Sequence, residues 1–449
     1  MIRRIKEKLT LQYDSTTSFF ADALTRMRAH EGFKRYFKNT GWLFAGKMFG
    51  LVMSFFIGAY VARYLGPERY GLMSYVVSFV GLFAFLSNVG VDNILSRELI
   101  TYPSRKNELL GTSFCIKIFG SLLAIAAICL ASFFINSNPF TNLLTILFSI
   151  TFIFQSFGVI DLYFQSQVLS KKTVKAQVVA TIISASLKMM FIAFHLGVGW
   201  FIGAYVIDSI LLAIGLVIIF KSNKFSLLSW RFNRGLFTEM LKDSWPLMLA
   251  GASVAIYSRI DQVMIGHYIN NEAVGLYSIA AKLSEVWYFV PMIIVSSLFP
   301  AIVNAKSVSR ELYEKRLKHL YRLMIILSVG IALPAAMFAN FIIRAIFGVA
   351  YLGAVGILQI YVWSGVSVFL GVAIGQYLIA ENFTKINFSM TFLGMISNVL
   401  LNIVLIPRYG VIGAASATLI SYSLATFSVL FFKKSRPQGL VMVKAFISG

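Results

Sequence analysis

Residues 62–74 read ARYLGPERYGLMS, and residues 266–278 read GHYINNEAVGLYS. At one fixed offset the two stretches share five identical residues, which are the pairs Tyr64/Tyr268, Glu68/Glu272, Gly71/Gly275, Leu72/Leu276 and Ser74/Ser278. Both stretches include a short polar loop between apolar segments, so a chance likeness between two apolar helices does not account for the match. The chain is therefore predicted to contain an internal duplication.

The composition places this duplication in a membrane. Of the 449 residues, 58% are hydrophobic and only 13% are charged, which is about half the charged share of a soluble domain. So few charges could not cover the surface of a soluble chain of this size, which excludes an ordinary globular enzyme. The excess of 40 Lys and Arg over 18 Asp and Glu is typical of cytoplasmic loops, so it does not indicate a nucleic-acid partner.

Twelve apolar segments are long enough to cross a bilayer as helices. Their continuous apolar character favours an all-α fold over a porin-type barrel, whose strands alternate. The predicted spans are 41–64, 70–90, 111–134, 141–160, 174–194, 198–220, 245–266, 275–302, 320–343, 351–379, 386–406 and 411–432. Six spans of equal orientation per repeat predict two six-helix bundles related by an axis along the membrane normal, with substrate bound between them.

Charge counting predicts the orientation of these spans. With residues 1–40 inside, the inside segments carry 29 Lys and Arg and the outside segments carry 4, so both termini are expected in the cytoplasm. The first apolar run follows a long basic arm, so we expect it to be retained as a helix and not removed as a signal peptide. The predicted organisation is a basic arm, a first bundle, a linker, a second bundle and a tail, at 1–40, 41–220, 221–244, 245–432 and 433–449.

Residues 41–47 read GWLFAGK and match the first seven positions of a nucleotide-binding P-loop. The eighth position is Met48, where a P-loop needs Ser or Thr to bind magnesium, and no strand precedes the motif. We therefore expect an ion gradient, the membrane potential or the substrate gradient as the energy source, in place of ATP. The four histidines show no metal-ligand spacing, so no metal and no cofactor is expected.

Basic side chains inside the spans are the candidate functional residues. A basic group facing lipid at mid-depth costs about 2.5–3.5 kcal/mol on insertion scales, so such a group should face a wet cavity or a partner. Arg259 lies about 21 Å from the inner end of its span and Lys188 is similarly deep, whereas Lys47 and Lys117 could also snorkel to the interface. The residues predicted to line a cationic, substrate-binding cavity are Arg259, Lys282, Lys188, Lys47 and Lys117.

Three acids, Glu285, Asp261 and Asp208, also lie within predicted spans. Lys282 and Glu285 are three residues apart on one helix face, so they either neutralise each other or form a group with Arg259. Asp261 is two residues from Arg259 and points to another side of the helix. Each acid is a candidate for binding a coupling proton, because burial favours the neutral form of a carboxyl group. A structural ion pair is the alternative for each.

Pro291 and Pro334 fall inside spans of the second half. A proline inside a helix removes a backbone hydrogen bond, so both residues are predicted to kink or loosen their helices as hinges. No proline lies inside a predicted span of the first half. The second half is therefore expected to be the more bent of the two.

Five stretches resemble a known family in sequence and in order. They are RYLGPERYG (63–71), VDNILSRE (91–98), DQVMIGHY (261–268), VGLYSIAAKLSE (274–285) and LIPRYGVIGAASA (405–417). With the apolar segments between them, over roughly residues 40–430, they resemble the bacterial polysaccharide and O-antigen flippases. These flippases belong to the multidrug/oligosaccharidyl-lipid/polysaccharide exporter superfamily.

This resemblance implies a V-shaped, two-bundle transporter in the bacterial inner membrane. It would move an isoprenoid-pyrophosphate-linked oligosaccharide by alternating access, for the synthesis of O-antigen, capsule or exopolysaccharide. A cationic cavity would hold the phosphate and sugar part of this lipid. Membrane lipids and the polymerase and glycosyltransferases of the same pathway are the implied partners. Many relatives have fourteen spans, so sites on two extra C-terminal helices are not carried over.

Two other functions remain open from the sequence. A multidrug or cation antiporter of the same fold would need an acidic cavity, whereas the candidate basic groups outnumber the candidate acids by five to three. A membrane-embedded polymerase or glycosyltransferase would need a large external loop or a soluble module. The longest external loop has only about eight residues and no paired carboxylates. Transport is therefore favoured, and no enzymatic activity is expected.

Overall fold

The computed structural model describes residues 31–135 and 138–447, which form helices joined by short turns. The helices of the first half are α1 Glu31–Gly81, α2 Ala84–Asn88, α3 Val91–Thr101, α4 Lys106–Ile135, α5 Pro139–Ser149, α6 Thr151–Gln155, α7 Gly158–Ser166, α8 Ser170–Ala193 and α9 Val198–Ser222. Those of the second half are α10 Arg234–Tyr268, α11 Asn271–Glu285, α12 Phe289–Lys306, α13 Arg310–Met337, α14 Ala339–Ile346, α15 Val355–Tyr361, α16 Ser364–Ala380, α17 Thr384–Phe427 and α18 Arg436–Ile447. The predicted all-α fold class is confirmed.

The described helices account for all twelve predicted spans. Eight continuous segments are long and apolar enough to cross a membrane, and a pair bent by 44° makes a ninth. Two of the eight, Lys38–Gly81 and Thr384–Phe431, have 44 and 48 residues. At 1.5 Å per residue they would be about 66 and 72 Å long, or twice the hydrocarbon thickness, so each holds two spans. The twelfth span lies in α10, which has 35 residues.

Gly66 and Gly410 reverse the chain inside these two long segments. Their φ angles of 72° and 59° lie in the left-handed region that a Cβ atom disfavours. Residues on the two sides of Gly410 meet, because Asn402 and Thr418 both donate hydrogen bonds to Asp261. The two spans around Gly410 therefore run antiparallel.

The two copies of the repeated sequence face each other across the molecule. A Cβ atom on Gly71 would overlap the carbonyl oxygen of Asn271, and one on Gly275 would overlap the carbonyl oxygen of Pro67. Pro67 and Asn271 are equivalent positions in the repeat, so the contact is reciprocal, as a two-fold arrangement requires. We call this end of the molecule the far side, and the end that carries residues 223–233 the linker side.

Three buried apolar clusters show a V that opens towards the linker side. One cluster combines both halves, including Phe79 of the first and Tyr277 of the second. Towards the linker side the core divides. One cluster there consists of first-half residues from Val91 onwards, together with Leu236 and Met240 from the start of α10. The other contains only second-half residues, from Val295 to Ala445. The halves are therefore joined at the far side and separate towards the linker side, which confirms the expected V shape.

The link between the halves differs from its predicted bounds. We expected a linker over 221–244, but α10 begins at Arg234, where the side chain of Asn233 accepts a hydrogen bond from the N–H of Leu236 at 3.1 Å. Residues 234–244 continue without a break into the predicted span 245–266. Leu236 and Met240 are buried in the core of the first half. The first helix of the second half is thus anchored to the first half.

The two candidate hinge prolines occupy different kinds of position. Pro291 lies in the first turn of α12, just after residues 286–288 interrupt the predicted span 275–302. Pro334 lies in α13, which continues unbroken to Met337, so the expected loosening does not interrupt this helix. Pro334 has no N–H to donate to the carbonyl oxygen of Gly330, but only three residues of α13 follow it.

The orientation in the membrane is a testable prediction. From the 29-to-4 split of basic residues we expect the linker side to face the cytoplasm. Reporter fusions placed after Lys224 and after Gly449 should both show cytoplasmic activity, with a fusion after Gly66 as the external control. An external signal at either of the first two positions would contradict the twelve-span topology.

Candidate functional site

A polar cavity lies between the two halves, below the point where they join. One part, of about 520 Å³, is lined by α1, α10 and α11 and includes Arg259, Lys282 and Glu285. A second part, of about 220 Å³, is lined by α1, α8 and α9 and includes Lys188 and Asp208. Lys282 and the side chains of Ser54, Tyr70, Met73 and Tyr205 line both parts. We call the two parts together the central cavity.

Arg259 is held in the cavity by α10. Its aliphatic stem packs over Gly81, where an added Cβ atom would lie 3.7 Å from the Cγ of Arg259. Among the ion pairs of the described residues, none involves Arg259. Its guanidinium group therefore offers a fork of N–H donors to an anionic ligand, a geometry that suits phosphate oxygens.

Lys282 reaches across from the second half to the first. Its ammonium group occupies the place that a Cβ atom on Gly58 would take, and Nζ donates a hydrogen bond to the carbonyl oxygen of Ser54 at 3.3 Å. Glycine at position 58 therefore makes room for the charge. Lys282 is the cation that lines both parts of the cavity.

Glu285 does not form the ion pairs that the sequence suggested. Its Oε1 accepts a hydrogen bond from Tyr361 at 2.9 Å. Neither Lys282 nor Arg259 lies within ion-pair distance of it in the described structure. Spacing along α11 places Lys282 and Glu285 on one face, but Lys282 extends towards α1 instead. The three residues share the cavity wall without neutralising each other in direct contact.

Lys188 of α8 and Asp208 of α9 both line the smaller part of the cavity. The ammonium group of Lys188 lies 4.3 Å from the ring centroid of Tyr205, a cation–π contact. Asp208 lines the same space, so it is not isolated in its helix. With Arg259 and Lys282, the cavity carries three basic groups against the two carboxylates of Asp208 and Glu285. Its formal charge is therefore positive.

The two remaining candidate lysines differ. Lys117 does not line the central cavity, because its Nζ forms a buried ion pair of 2.7 Å with Asp92 at the start of α3. The charge of Lys117 is therefore neutralised by Asp92, and Lys117 does not contribute to the charge of the cavity. Lys47 is exposed on α1. It lies three and seven residues before Gly50 and Ser54, which line the cavity, so it continues the same helix face towards the linker side.

Asp261 is also absent from the cavity wall. It is buried inside the second half, where it accepts hydrogen bonds from Tyr277 at 2.6 Å and from Asn402 and Thr418 at 2.5 Å. The prediction that it points away from Arg259 is confirmed. The network joins α10, α11 and both arms of α17, and its donors stabilise a carboxylate without a basic partner.

Several polar cavity residues were missed because only ionisable groups were considered. The side-chain oxygen of Gln262 accepts hydrogen bonds from Ser78 at 2.7 Å and from Ser278 at 3.2 Å, which links the two halves at the wall. Gln262 stands out in the sequence as a polar residue within a span. Asn398 and Asn402 lie in the buried network around Asp261 and not on the cavity wall. They gave a similar signal, because residues four apart in one apolar span share a helix face.

Comparison with known proteins places this architecture in a family. Residues 36–306, more than half of the chain, match the family model described as polysaccharide biosynthesis protein. The chain belongs to this family. One relative of this polysaccharide biosynthesis protein is the probable low-salt glycan biosynthesis flippase Agl15 of Haloferax volcanii. It is 21% identical over 403 residues, which cover 86% of this chain and 80% of that protein.

A second relative is the probable flippase AglR of the same organism. It is 28% identical over 178 residues, 38% of this chain, and the match spans only 36% of AglR's own length. Two solved structures share the fold. The lipid II flippase MurJ in an inward closed conformation has a TM-score of 0.67 at 18% identity, covering 92% of this chain and 91% of MurJ.

The other structure is an inward-facing multidrug resistance MATE family transporter of the MOP superfamily. It has a TM-score of 0.66 at 12% identity and covers 88% of this chain and 96% of the transporter. At these identities the likeness shows the fold alone. The family match confirms the polysaccharide family to which the sequence motifs pointed, and the shared fold agrees with it.

Proposed function

We propose that this polysaccharide biosynthesis protein is a flippase. It moves an isoprenoid-pyrophosphate-linked oligosaccharide across the bacterial inner membrane, for synthesis of a cell-surface polysaccharide. The observation that carries the proposal is the central cavity, where Arg259, Lys282 and Lys188 outnumber the acids. The relatives Agl15 and AglR are both named as probable flippases, and the name of Agl15 refers to glycan biosynthesis, which supports transport of a glycan lipid.

The charge and setting of the cavity suit a pyrophosphate head group. A pyrophosphate carries several negative charges, and a site with low-dielectric walls strengthens each contact with a cation. A cationic drug, the cargo of an antiporter, would be repelled by the same three basic groups. The V is open on the linker side, so the head group enters there and leaves when the far side opens.

A reconstituted system tests the proposal. The purified protein is placed in liposomes that contain a fluorescent polyprenyl-pyrophosphate disaccharide, and an impermeant quencher reports the fraction exposed outside. We expect exchange of this lipid between leaflets to depend on the protein. The same disaccharide on a neutral polyprenol should move much more slowly. Equal rates for both lipids, or no dependence on the protein, would overturn the assignment.

Glu285 is the proposed coupling residue, with Asp261 as the second candidate. Glu285 shares the cavity with Arg259 and Lys282, so a change of its charge alters the site directly. We expect Glu285→Gln to remove the stimulation of translocation by a pH gradient while the response to a membrane potential remains. Glu311→Gln, on the exposed surface of α13, is the control. If Glu285→Gln and Asp261→Asn both keep the wild-type response, the anionic substrate is driven by the potential and both acids are structural.

A further inference from the structure

The smaller part of the central cavity presents both signs of charge together with hydroxyl groups. Asp208 of α9 and Lys188 of α8 are the charged residues that line this part alone, and Thr181 and Tyr205 are also on its wall. Hydrogen-bond acceptors and donors therefore occur side by side. Each hydroxyl group of a sugar can both donate and accept a hydrogen bond, so a sugar ring matches this mixture.

Asp208 has no basic partner in direct contact. None of the ion pairs among the described residues involves it, and Lys188 acts on its charge only from a greater distance. The ammonium group of Lys188 lies over the ring of Tyr205 instead. Asp208 is half-buried, and a carboxylate withdrawn from water needs hydrogen-bond donors. The hydroxyl groups of a bound sugar would supply them.

The smaller part lies next to the groups assigned to the pyrophosphate. Lys282 lines both parts of the cavity, whereas Arg259 lines only the larger part. In the proposed substrate the first sugar is bonded directly to the pyrophosphate. A pyrophosphate held by Arg259 and Lys282 therefore places this sugar beside the smaller part. The opposite arrangement is disfavoured, because Asp208 would repel a phosphate group.

We propose that the smaller part of the central cavity binds the sugar next to the pyrophosphate and selects a neutral sugar there. This inference rests on the proposed function and adds Asp208 as a specificity-determining residue. Its carboxylate accepts hydrogen bonds from the sugar hydroxyl groups. An acidic sugar would bring a second carboxylate towards Asp208, and like charges repel each other strongly at a site withdrawn from water.

The size of the smaller part sets how much of the substrate it can hold. Its volume of about 220 Å³ suits a single sugar ring and not a whole oligosaccharide. The remaining sugars would extend into the open V on the linker side. Selection by Asp208 therefore applies to the first sugar and leaves the rest of the oligosaccharide free to vary.

Binding to the purified protein in lipid nanodiscs of fixed composition tests this inference with three probes. They are undecaprenyl pyrophosphate and the same lipid carrying either one glucose or one glucuronic acid. The two sugars differ at a single carbon, which carries a hydroxyl group in glucose and is a carboxylate in glucuronic acid. They therefore form a matched pair that reports the charge selection by itself.

Two variants change the smaller part in different ways. Asp208→Asn removes the charge with little change of shape. Gly50→Leu fills the space without a clash, because no heavy atom lies within 4 Å of the Cβ position, and Gly50 lines only this part. Gly203→Leu in α9 is the matched control, since its Cβ position is equally open and lies outside both parts.

We expect wild type to bind the glucose lipid about tenfold more tightly than undecaprenyl pyrophosphate, since one hydrogen bond to a charged group accounts for such a factor. The glucuronic acid lipid should bind more weakly than the glucose lipid. Asp208→Asn should lose most of the advantage of glucose and most of the discrimination between the two sugars. Gly50→Leu should bind all three lipids about equally. Neither variant should weaken binding of undecaprenyl pyrophosphate, and Gly203→Leu should match wild type.

The three probes separate failure of the inference from failure of the proposed function. If wild type binds all three lipids equally, the smaller part does not bind sugar, although the proposed function stands. If Asp208→Asn keeps the wild-type preferences, or if Gly203→Leu loses them as Gly50→Leu does, the assignment to Asp208 and this space is wrong. If wild type binds no pyrophosphate lipid at all, the proposed function fails and the inference fails with it.

Discussion

Arg259→Ala is expected to reduce translocation of the lipid-linked sugar on the order of 100-fold at unchanged protein level, since truncating a charge that holds a desolvated ionic partner costs several kcal/mol. Arg259 lines the central cavity, and none of the ion pairs among the described residues engages it. Loss of its side chain leaves the pyrophosphate without its bidentate donor, and Lys282 and Lys188 supply only point charges.

Arg259→Lys should fall between alanine and wild type, because lysine keeps the charge but loses the planar fork. Arg322→Ala is the control, since this arginine is exposed on α13 and lines neither part of the central cavity. The test measures translocation rates of these variants in the reconstituted system, with the protein content of each preparation checked. Full translocation by Arg259→Ala would show that the head group binds elsewhere.

Gly71→Val and Gly275→Val are expected to hold the far side open. In either glycine an added Cβ atom would overlap a backbone carbonyl oxygen of the other half, and backbone cannot move aside as a flexible side chain can. Overpacking of this kind costs about 1–3 kcal/mol. This cost destabilises only the conformation with a closed far side, so it lowers the population of that conformation by roughly five- to 150-fold. Translocation should fall with it.

Labelling of a single cysteine measures this shift. Ser74→Cys, at the cavity wall, is introduced after Cys115 and Cys129 are replaced by serine, and an impermeant maleimide is added on the far side. The wild-type background should label slowly and both valine variants quickly. Gly203→Val, with open space at its Cβ position, should label slowly as well. Slow labelling of both variants together with normal transport would mean that this contact does not close the far side.

The sequence predicted the spans and the duplication because both depend on local information. A run of apolar residues defines a helix in lipid, and identical residues at a fixed offset define a repeat. The same glycines, Gly71 and Gly275, revealed the repeat but not their mutual contact. That contact follows from the two-fold packing of the halves, which a list of matched positions does not contain.

The candidate site was predicted in part, and the errors have a common cause. Depth within a span selected Arg259, Lys282 and Lys188, since a deep cation must find water or a partner, and the structure places all three on the cavity wall. Depth could not distinguish a cavity from a partner for Lys117, whose Asp92 lies 25 residues away on another helix. In the same way, the donors to Asp261 at Asn402 and Thr418 are 141 and 157 residues away in the chain.

The first turns of α10 bear on how the chain is made. Leu216 and Phe220 near the end of the first half are buried in the cluster that Leu236 and Met240 complete. A nascent chain that has emerged only as far as Ser222 therefore still exposes apolar surface, and the first bundle matures only when the leading helix of the second has been synthesised. The sequence repeat and the folding unit do not coincide. A fragment cut at the repeat boundary should be less stable than one extended past Ser244. Two separately expressed halves would associate through the first turns of α10.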